Sequence, residues 1–138
     1  MFLRRACETS RPVVLAQNDL AEVLRRTKRF EEAERYARLA VRAAPDLYVA
    51  WETLGAILLD ANGDLNEAER CITKACDLSK SESGKETDVR MLVSLARVQI
   101  AKGDRQRANM TLRKVKGRVK ELSDFERGEF EELCKSAR

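Results

Sequence analysis

Four cysteines are the residues of this 138-residue chain best suited to metal or redox chemistry: Cys7, Cys71, Cys76 and Cys134. No two of them form a C-x-x-C pair, and the chain contains no histidine, so the ligand spacing of a zinc site is missing. Cys71 and Cys76 are five residues apart, which does not place two side chains on one face of a helix. We therefore expect reduced, structural thiols and no bound metal or cofactor.

The sequence also lacks the residue sets that enzymes use for catalysis. Without histidine there is no Ser-His or Cys-His pair, and neither G-x-x-x-x-G-K-[ST] nor G-x-G-x-x-G occurs, so no phosphate-binding loop is predicted. Carboxylates such as those of Glu31, Glu32 and Glu34 fall on predicted outer helix faces, where solvation and i,i+4 pairing explain them. We predict that the chain is not an enzyme.

Charge is unevenly distributed, although the net charge is only +4. Residues 102–120 hold eight Lys or Arg and one acid, and residues 123–132 hold five acids and one base. The basic stretch could bind an anionic surface or a nucleic acid, or the acidic stretch could neutralise it within the fold. No aromatic residue is interleaved with the basic ones to stack on bases, so we rank nucleic acid below a protein partner. The basic residues concerned are Arg105, Arg107, Arg113, Lys114, Lys116, Arg118 and Lys120.

Composition indicates one all-helical domain. The chain is 43% hydrophobic and 36% charged, with only 5% aromatic residues, two prolines and six glycines. No apolar run approaches the roughly 20 residues of a membrane-spanning helix. Residues 1–10 lack the apolar stretch of a secretory signal, so we expect either a cytoplasmic protein or a fragment without its targeting segment.

A helical hairpin pattern recurs at a spacing of 34 to 35 residues. The segment "WETLGAILL" at 51–59 mirrors "QNDLAEVLR" at 17–25, and "DLNEAERCITKA" at 64–75 mirrors "RFEEAERYARLA" at 29–40. A third copy begins in "MLVSLARVQIAKGDRQRA" at 91–108, displaced by the polar stretch at 79–88. Small residues recur at Ala21, Gly55 and Ala96, where the two helices of a hairpin would approach closely. One hairpin cannot bury its apolar stripe alone, so the copies are expected to stack.

These copies resemble the tetratricopeptide repeat, whose pattern is W-x2-L-G-x2-Y, then A-x3-F, then P, with a period of 34. The second copy matches from Trp51 to Gly55, with Leu58 in place of the tyrosine, and Pro45 supplies the final proline of the first copy. The third copy departs from the pattern at Gln99, where an aromatic or aliphatic side chain is expected. The resemblance covers about residues 13–120 and implies an all-α fold, an α-solenoid of antiparallel helix pairs in a right-handed superhelix.

We predict that residues 1–138 form a single domain with the solenoid at its centre. Ser123-Asp124-Phe125-Glu126 is a capping-box pattern and predicts a last helix that covers the exposed face of the third repeat. Pro12 precedes Pro45 by 33 residues, which indicates that a helix precedes the first repeat. The predicted segments are the tail of that preceding helix at 2–10, repeat 1 at 13–45, repeat 2 at 47–79, a lengthened loop at 80–88, repeat 3 at 89–120 and the capping helix at 123–137.

The resemblance also implies a function. In proteins that this chain resembles, the first helices of successive pairs line a concave groove that holds an extended peptide or a helix of a partner. The chain is thus expected to be a non-catalytic protein–protein interaction module, and the alternative is a purely architectural segment of a larger solenoid protein. Alignment of the copies gives as groove candidates Asn18, Glu22, Arg26, Val49, Glu52, Asp60, Arg90, Val93, Arg97 and Ile100, with Leu15, Ala56 and Leu59 beside them.

The charges of these candidate residues restrict which ligands we expect the groove to bind. One subfamily clamps the C-terminal carboxylate of chaperones with Lys, Asn, Asn, Lys and Arg. Here the corresponding residues are Asn18, Glu22, Thr53, Arg90 and Ser94. Glu22 would repel a carboxylate, so we do not predict chaperone-tail binding. Arg90 and Arg97 lie two helical turns apart and are expected to point the same way, which would suit a ligand with an acidic end and a basic or neutral centre.

Overall fold

Seven α-helices follow one another in the computed structural model, which describes residues 10–84 and 86–138. No strand occurs in these ranges, so the predicted all-α class is confirmed. The predicted helix tail at 2–10 and Cys7 lie outside the described residues, apart from Ser10. The helices are α1 Arg11–Arg26, α2 Phe30–Ala43, α3 Tyr48–Asp60, α4 Leu65–Ser83, α5 Val89–Ala101, α6 Arg105–Lys116 and α7 Asp124–Ser136, with a 3-10 turn at Val119–Glu121.

The same turn closes each of the three helix pairs α1–α2, α3–α4 and α5–α6. One residue of each turn adopts a left-handed conformation: Lys28 (φ 63°), Asn62 (φ 54°) and Gly103 (φ 80°). In each turn a backbone N–H also donates to the carbonyl five residues earlier, for example from Gly63 to the oxygen of Leu58 at 2.8 Å. Such bonds satisfy carbonyls that the end of a helix leaves without a partner. The repeat is therefore present in the backbone of the turns as well as in the side chains.

Each pair is packed through small residues. Ala21, Ala33, Ala96 and Ala108 are fully buried at the contacts within the first and third pairs. In the second pair, a Cβ on Gly55 would lie 2.5 Å from Cγ1 of Ile72, too close for any carbon contact. A side chain at position 55 would therefore force α3 and α4 apart.

The pairs stack through a shared core. One cluster of buried apolar residues contains side chains from helices α1, α2, α3 and α4, together with Val98 of α5. A second cluster contains side chains from α5, α6 and α7. Trp51 and Pro45, both matched in the repeat pattern, are linked because the indole N–H of Trp51 donates to the Pro45 carbonyl at 2.8 Å. These contacts make an all-α solenoid of helix pairs, as the sequence pattern predicted.

The loop between the second and third pairs is shorter than predicted. Helix α4 continues to Ser83, so residues 80–83, expected in a loop at 80–88, are helical. The hydroxyl of Ser79 links this helix to the start of α5, because it donates to the carbonyl of Cys76 at 2.8 Å and accepts from the N–H of Asp88 at 3.0 Å. The helix ends only at Gly84, whose φ of 70° favours glycine. The repeat boundaries themselves stay a prediction.

Helix α7 has the capping box that the sequence indicated. The Ser123 hydroxyl accepts from the N–H of Glu126 at 3.3 Å, and the Glu126 carboxylate accepts from the N–H of Ser123 at 2.7 Å. Phe130 and Leu133 pack against the core of the third pair. Phe125, in the first turn of α7, is 76% exposed.

Gln99, which departs from the repeat pattern, has a partner. It is buried, and its Oε1 accepts a hydrogen bond of 2.8 Å from the hydroxyl of Thr111 on the facing helix. A polar pair between α5 and α6 thus replaces the apolar contact of the usual motif. Burial of an amide is tolerated where such a bond is made.

We expect Gly55→Leu to destabilise the protein by about 1–3 kcal/mol, because the new side chain must displace Ile72 or separate α3 from α4. Urea unfolding measures the loss. Gly128→Ala is the matched control, since a Cβ at this exposed helical position meets no atom within 4 Å and should leave stability unchanged or raised. A Gly55→Leu variant that unfolds like the wild type would show that α3 and α4 do not touch at this point.

Because of the Gln99–Thr111 hydrogen bond, we expect the two single variants to lose different amounts of stability. Gln99→Leu leaves the Thr111 hydroxyl with a second acceptor, the Arg107 carbonyl at 3.1 Å, whereas Thr111→Val leaves the Gln99 oxygen without its donor. We therefore expect Thr111→Val to cost more, about 1–3 kcal/mol, and the two changes to be coupled by about 1 kcal/mol. A double-mutant cycle in urea tests this, and simple additivity would contradict it.

Candidate functional site

A cavity of about 780 Å³ opens along the first helices of the three pairs. We call it the groove. Side chains from α1, α3 and α5 line it, and α7 supplies a further wall through Phe125, Glu126 and Glu129. Eight of the ten residues predicted from the repeat alignment lie on this lining: Asn18, Glu22, Arg26, Val49, Glu52, Arg90, Val93 and Arg97. The structure thus brings most of the predicted set together at one cavity.

The other candidates lie elsewhere. Asp60 does not line the groove and is bound to two arginines at the end of α3. Ile100 packs against the core of the third pair. Of the three flanking candidates, Ala56 is buried, Leu59 packs on the main core and Leu15 is 40% exposed outside the lining.

Several lining residues were not among the predicted set. Thr53 and Ser94 had been considered only as clamp positions, and Arg25 not at all. Arg25 is adjacent to the predicted Arg26 and could have been found by extending the candidate face of α1 by one residue. Leu122 and Phe125 belong to no repeat, so alignment of the copies gives no signal for them.

Four charged side chains form a network of ion pairs that connects the first helices of the three pairs. Glu22 binds Arg25 within α1 at 3.0 Å. Arg25 binds one oxygen of Asp60 on α3 at 2.6 Å, and Arg97 on α5 binds the other at 3.0 Å. Although burial opposes its charge, hydrogen bonds to Glu22 and Asp60 raise the pKa of Arg25 well above its usual value. The arginines of this network are therefore neutralised by the protein itself.

Arg90 is also paired internally. Its guanidinium group lies on the carboxylate of Asp88, with contacts of 2.8 and 3.2 Å, and the hydroxyl of Tyr48 donates to the same carboxylate at 3.1 Å. Asp88 caps α5 only two residues before Arg90, which puts the two charges in easy reach. The prediction that Arg90 and Arg97 offer two guanidinium heads to a ligand is thus corrected: both line the groove, but each is bound to an acid.

Glu52, on the middle of the three first helices, has a different environment. The hydroxyl of Ser94 donates to its Oε1 at 2.7 Å, and among the described residues it forms no ion pair. Burial raises the pKa of Glu52, assisted by Glu22 and opposed by the Ser94 bond and by the charges of Arg25 and Arg97. Asn18, which lines the same cavity, is only 6% exposed, and its Oδ1 has no hydrogen-bond partner in the part of the chain described.

The predicted basic patch is not neutralised by the acidic stretch that follows it. Arg107 pairs with Glu69 of α4 at 3.3 Å, and Arg105 donates to the carbonyl of Arg138 at 3.1 Å. Two acids of α7 pair within their own helix, as Arg127–Asp124 and Lys135–Glu132, because α7 turns its apolar face to α5 and α6. Arg113, Lys114, Lys116 and Lys120 are exposed and form no ion pair with the described part of the chain.

The three described cysteines are free thiols. Burial raises the pKa of Cys71 to about 11 and that of Cys76 to about 12, so both are protonated and unreactive at neutral pH. Within residues 10–84 and 86–138 there is no cluster of three or more Cys, Asp or Glu arranged to hold a metal ion. Nor is any helix in these ranges long and apolar enough to cross a membrane.

Comparison with known proteins identifies the repeat. Residues 13–44, which contain the pair α1–α2, match the family model described as tetratricopeptide repeat. No curated protein matches the chain. Residues 13–44 are thus similar to a tetratricopeptide repeat, and the later helices form further pairs packed in the same way. Repeats of this family generally mediate protein–protein interaction and are not catalytic.

The partly buried carboxylate of Glu52 predicts a pH-dependent stability. Since burial raises its pKa, the folded state holds a proton at pH values where the unfolded chain is ionised, and stability falls as pH rises through that interval. Glu52→Gln keeps an acceptor for Ser94 and should raise the free energy of unfolding at pH 7. The gain should vanish below pH 4.5, the ordinary pKa of glutamate, where both chains are neutral at this position.

Urea unfolding at pH 7 and at pH 4 measures this difference. Glu31→Gln, which removes an exposed carboxylate from α2, corrects for the loss of one charge. If Glu52→Gln were less stable than the wild type at pH 7, the ionised carboxylate would be stabilising and its unfavourable burial would be disproved.

Proposed function

We propose that the groove binds an extended segment of a protein partner and that the chain acts as a non-catalytic interaction module. One observation carries this proposal: eight residues predicted from the repeat alignment to face a ligand line one cavity of about 780 Å³. A volume of this size lies within the range of about 300–1,000 Å³ that is typical of ligand-binding cavities. The general role of tetratricopeptide repeats in protein–protein interaction agrees with it.

The chemistry of the lining suits a peptide. Val49, Met91 and Val93 give the groove an apolar component, while Asn18 and Ser94 place polar groups among them. Apolar contacts hold the side chains of an extended segment, and polar groups bind its backbone and fix its register. The proposed partner is thus a protein segment of mixed character.

Phe125 adds a site for an apolar anchor. Its side chain is 76% exposed, yet it stands on the wall of the groove. An exposed aromatic ring contributes little to the stability of the fold, and aromatic residues are enriched among those that carry most of the binding energy at interfaces. We infer that Phe125 contacts the bound segment directly.

A second candidate surface is the patch of Arg113, Lys114 and Lys116, which we call the basic patch. These side chains are exposed and have no acid paired with them among the described residues, so binding of an anionic surface remains the alternative function. The patch lies on α6, the second helix of its pair, whereas the repeat residues of the groove lie on the first helices. Variants of the two surfaces can therefore be tested separately.

We expect Phe125→Ala to weaken binding of a groove ligand about tenfold, because it removes an interfacial aromatic side chain. The ligand is selected from a library of random eight-residue peptides on phage, and affinity is measured by fluorescence anisotropy with the synthetic peptide. Met110→Ala is the matched control, since Met110 is also an exposed apolar residue, at 56%, but lies outside the groove lining. It should bind like the wild type.

Two results would count against the groove. If no peptide is selected, or if Phe125→Ala binds as well as the wild type, the proposed function fails. If binding is lost only on replacing Arg113, Lys114 and Lys116 by alanine and falls steeply with salt, the basic patch is the binding surface instead.

A further inference from the structure

The groove contains acids that no cation of the protein neutralises. Its arginines are already bound: Arg25 to Glu22 and Asp60, Arg97 to Asp60, and Arg90 to Asp88. Arg26 is the exception, with its side chain 75% exposed and 3.8 Å from Glu22. Glu52 and the exposed Glu129 form no ion pair with described residues. Glu52 therefore lies on the groove lining without a cation bound to it.

Two acceptors on the groove lining also lack donors, one on Glu52 and one on Asn18. One carboxylate oxygen of Glu52 accepts from Ser94 at 2.7 Å, and no described residue donates to the other. The Oδ1 of Asn18, a side chain 94% buried, is likewise an acceptor without a partner. A buried acceptor without a donor and a half-buried carboxylate without a cation both cost free energy. A single ligand group that has only donors and a positive charge would relieve both.

Few groups have these properties. The ammonium group of lysine and the guanidinium group of arginine are donors only and are charged at neutral pH. A backbone N–H could bind Asn18 but would leave the charge of Glu52 unbalanced, and an acidic side chain would be repelled by Glu22 and Glu52 together. Resting on the proposed function, we propose that the segment bound in the groove carries a lysine or arginine side chain that pairs with Glu52 and reaches Asn18.

Ser94 has a defined place in this arrangement. Its hydroxyl fixes one oxygen of Glu52 from the neighbouring first helix, which holds the carboxylate in one orientation between α3 and α5. Ser94 is itself only 6% exposed, so its rotamer is set by packing. It is a positioning residue: the free oxygen of Glu52 is left for the ligand cation.

The experiment uses the same random eight-residue peptide library. We expect wild-type protein to enrich lysine or arginine at one position of the selected peptides. A selected peptide with that residue should bind at least tenfold more tightly than the peptide with norleucine there, which keeps the aliphatic chain and removes the charge. Such a ratio corresponds to about 1.4 kcal/mol, which is the lower end of the coupling measured for close charge pairs at interfaces.

Glu52→Gln is the decisive variant. It should remain folded by circular dichroism and should bind the lysine and norleucine peptides with a ratio close to one. Glu31→Gln is the matched control, because it removes an equal charge from outside the groove and should keep the ratio of the wild type.

The outcomes separate this inference from the proposed function. Selected peptides that lack a basic residue but depend on Phe125 would overturn the inference and leave the groove as the binding site. A lysine preference that persists unchanged in Glu52→Gln would also overturn it, because the cation would then be bound by another acid such as Glu129. Failure to select any peptide would overturn both proposals.

Discussion

The close approach of the two helices in each pair is the constraint on which the rest of the structure depends. Ile72 occupies the space where a Cβ of Gly55 would be, and fully buried alanines take the corresponding contacts in the other pairs. Small residues at these points let the larger Leu54 and Ile57 reach the core between pairs, where both are almost completely buried. One face of each first helix is thereby committed to packing, and its opposite face is left free to line the groove.

This division explains how much could be predicted from sequence. The period of the small residues fixes which face of a first helix is buried, so alignment alone placed eight of ten candidates on one cavity. The wall formed by α7 could not be found in this way, because Phe125 and Leu122 belong to no repeat. Its direction depends on how Phe130 and Leu133 dock on the third pair, which is a tertiary contact.

The ion pairs between helices could not be predicted from the sequence either. The sequence offers Asp60 many cationic partners, and only the stacking of α1, α3 and α5 selects Arg25 and Arg97. The basic stretch at 102–120 shows the same difficulty, since adjacency along the chain suggested the acids of 123–132 as partners. Arg107 instead reaches Glu69 on α4, far away in sequence. Gln99 also looked anomalous until its partner Thr111 was placed opposite it.

Glu52 differs from the other acids that lie between helices, because no cation of the described residues is bound to it. Glu67 is paired with Arg38 across α2 and α4, and Glu69 is paired with both Lys102 and Arg107. A partly buried carboxylate costs free energy unless a cation is near, and the fold meets that requirement at each of these positions. At Glu52 it supplies a serine hydroxyl instead, on the lining of the groove. An acid left unpaired only where a ligand could reach it is what a recognition site for a cation requires, since a carboxylate already neutralised by the protein would have nothing to gain from binding.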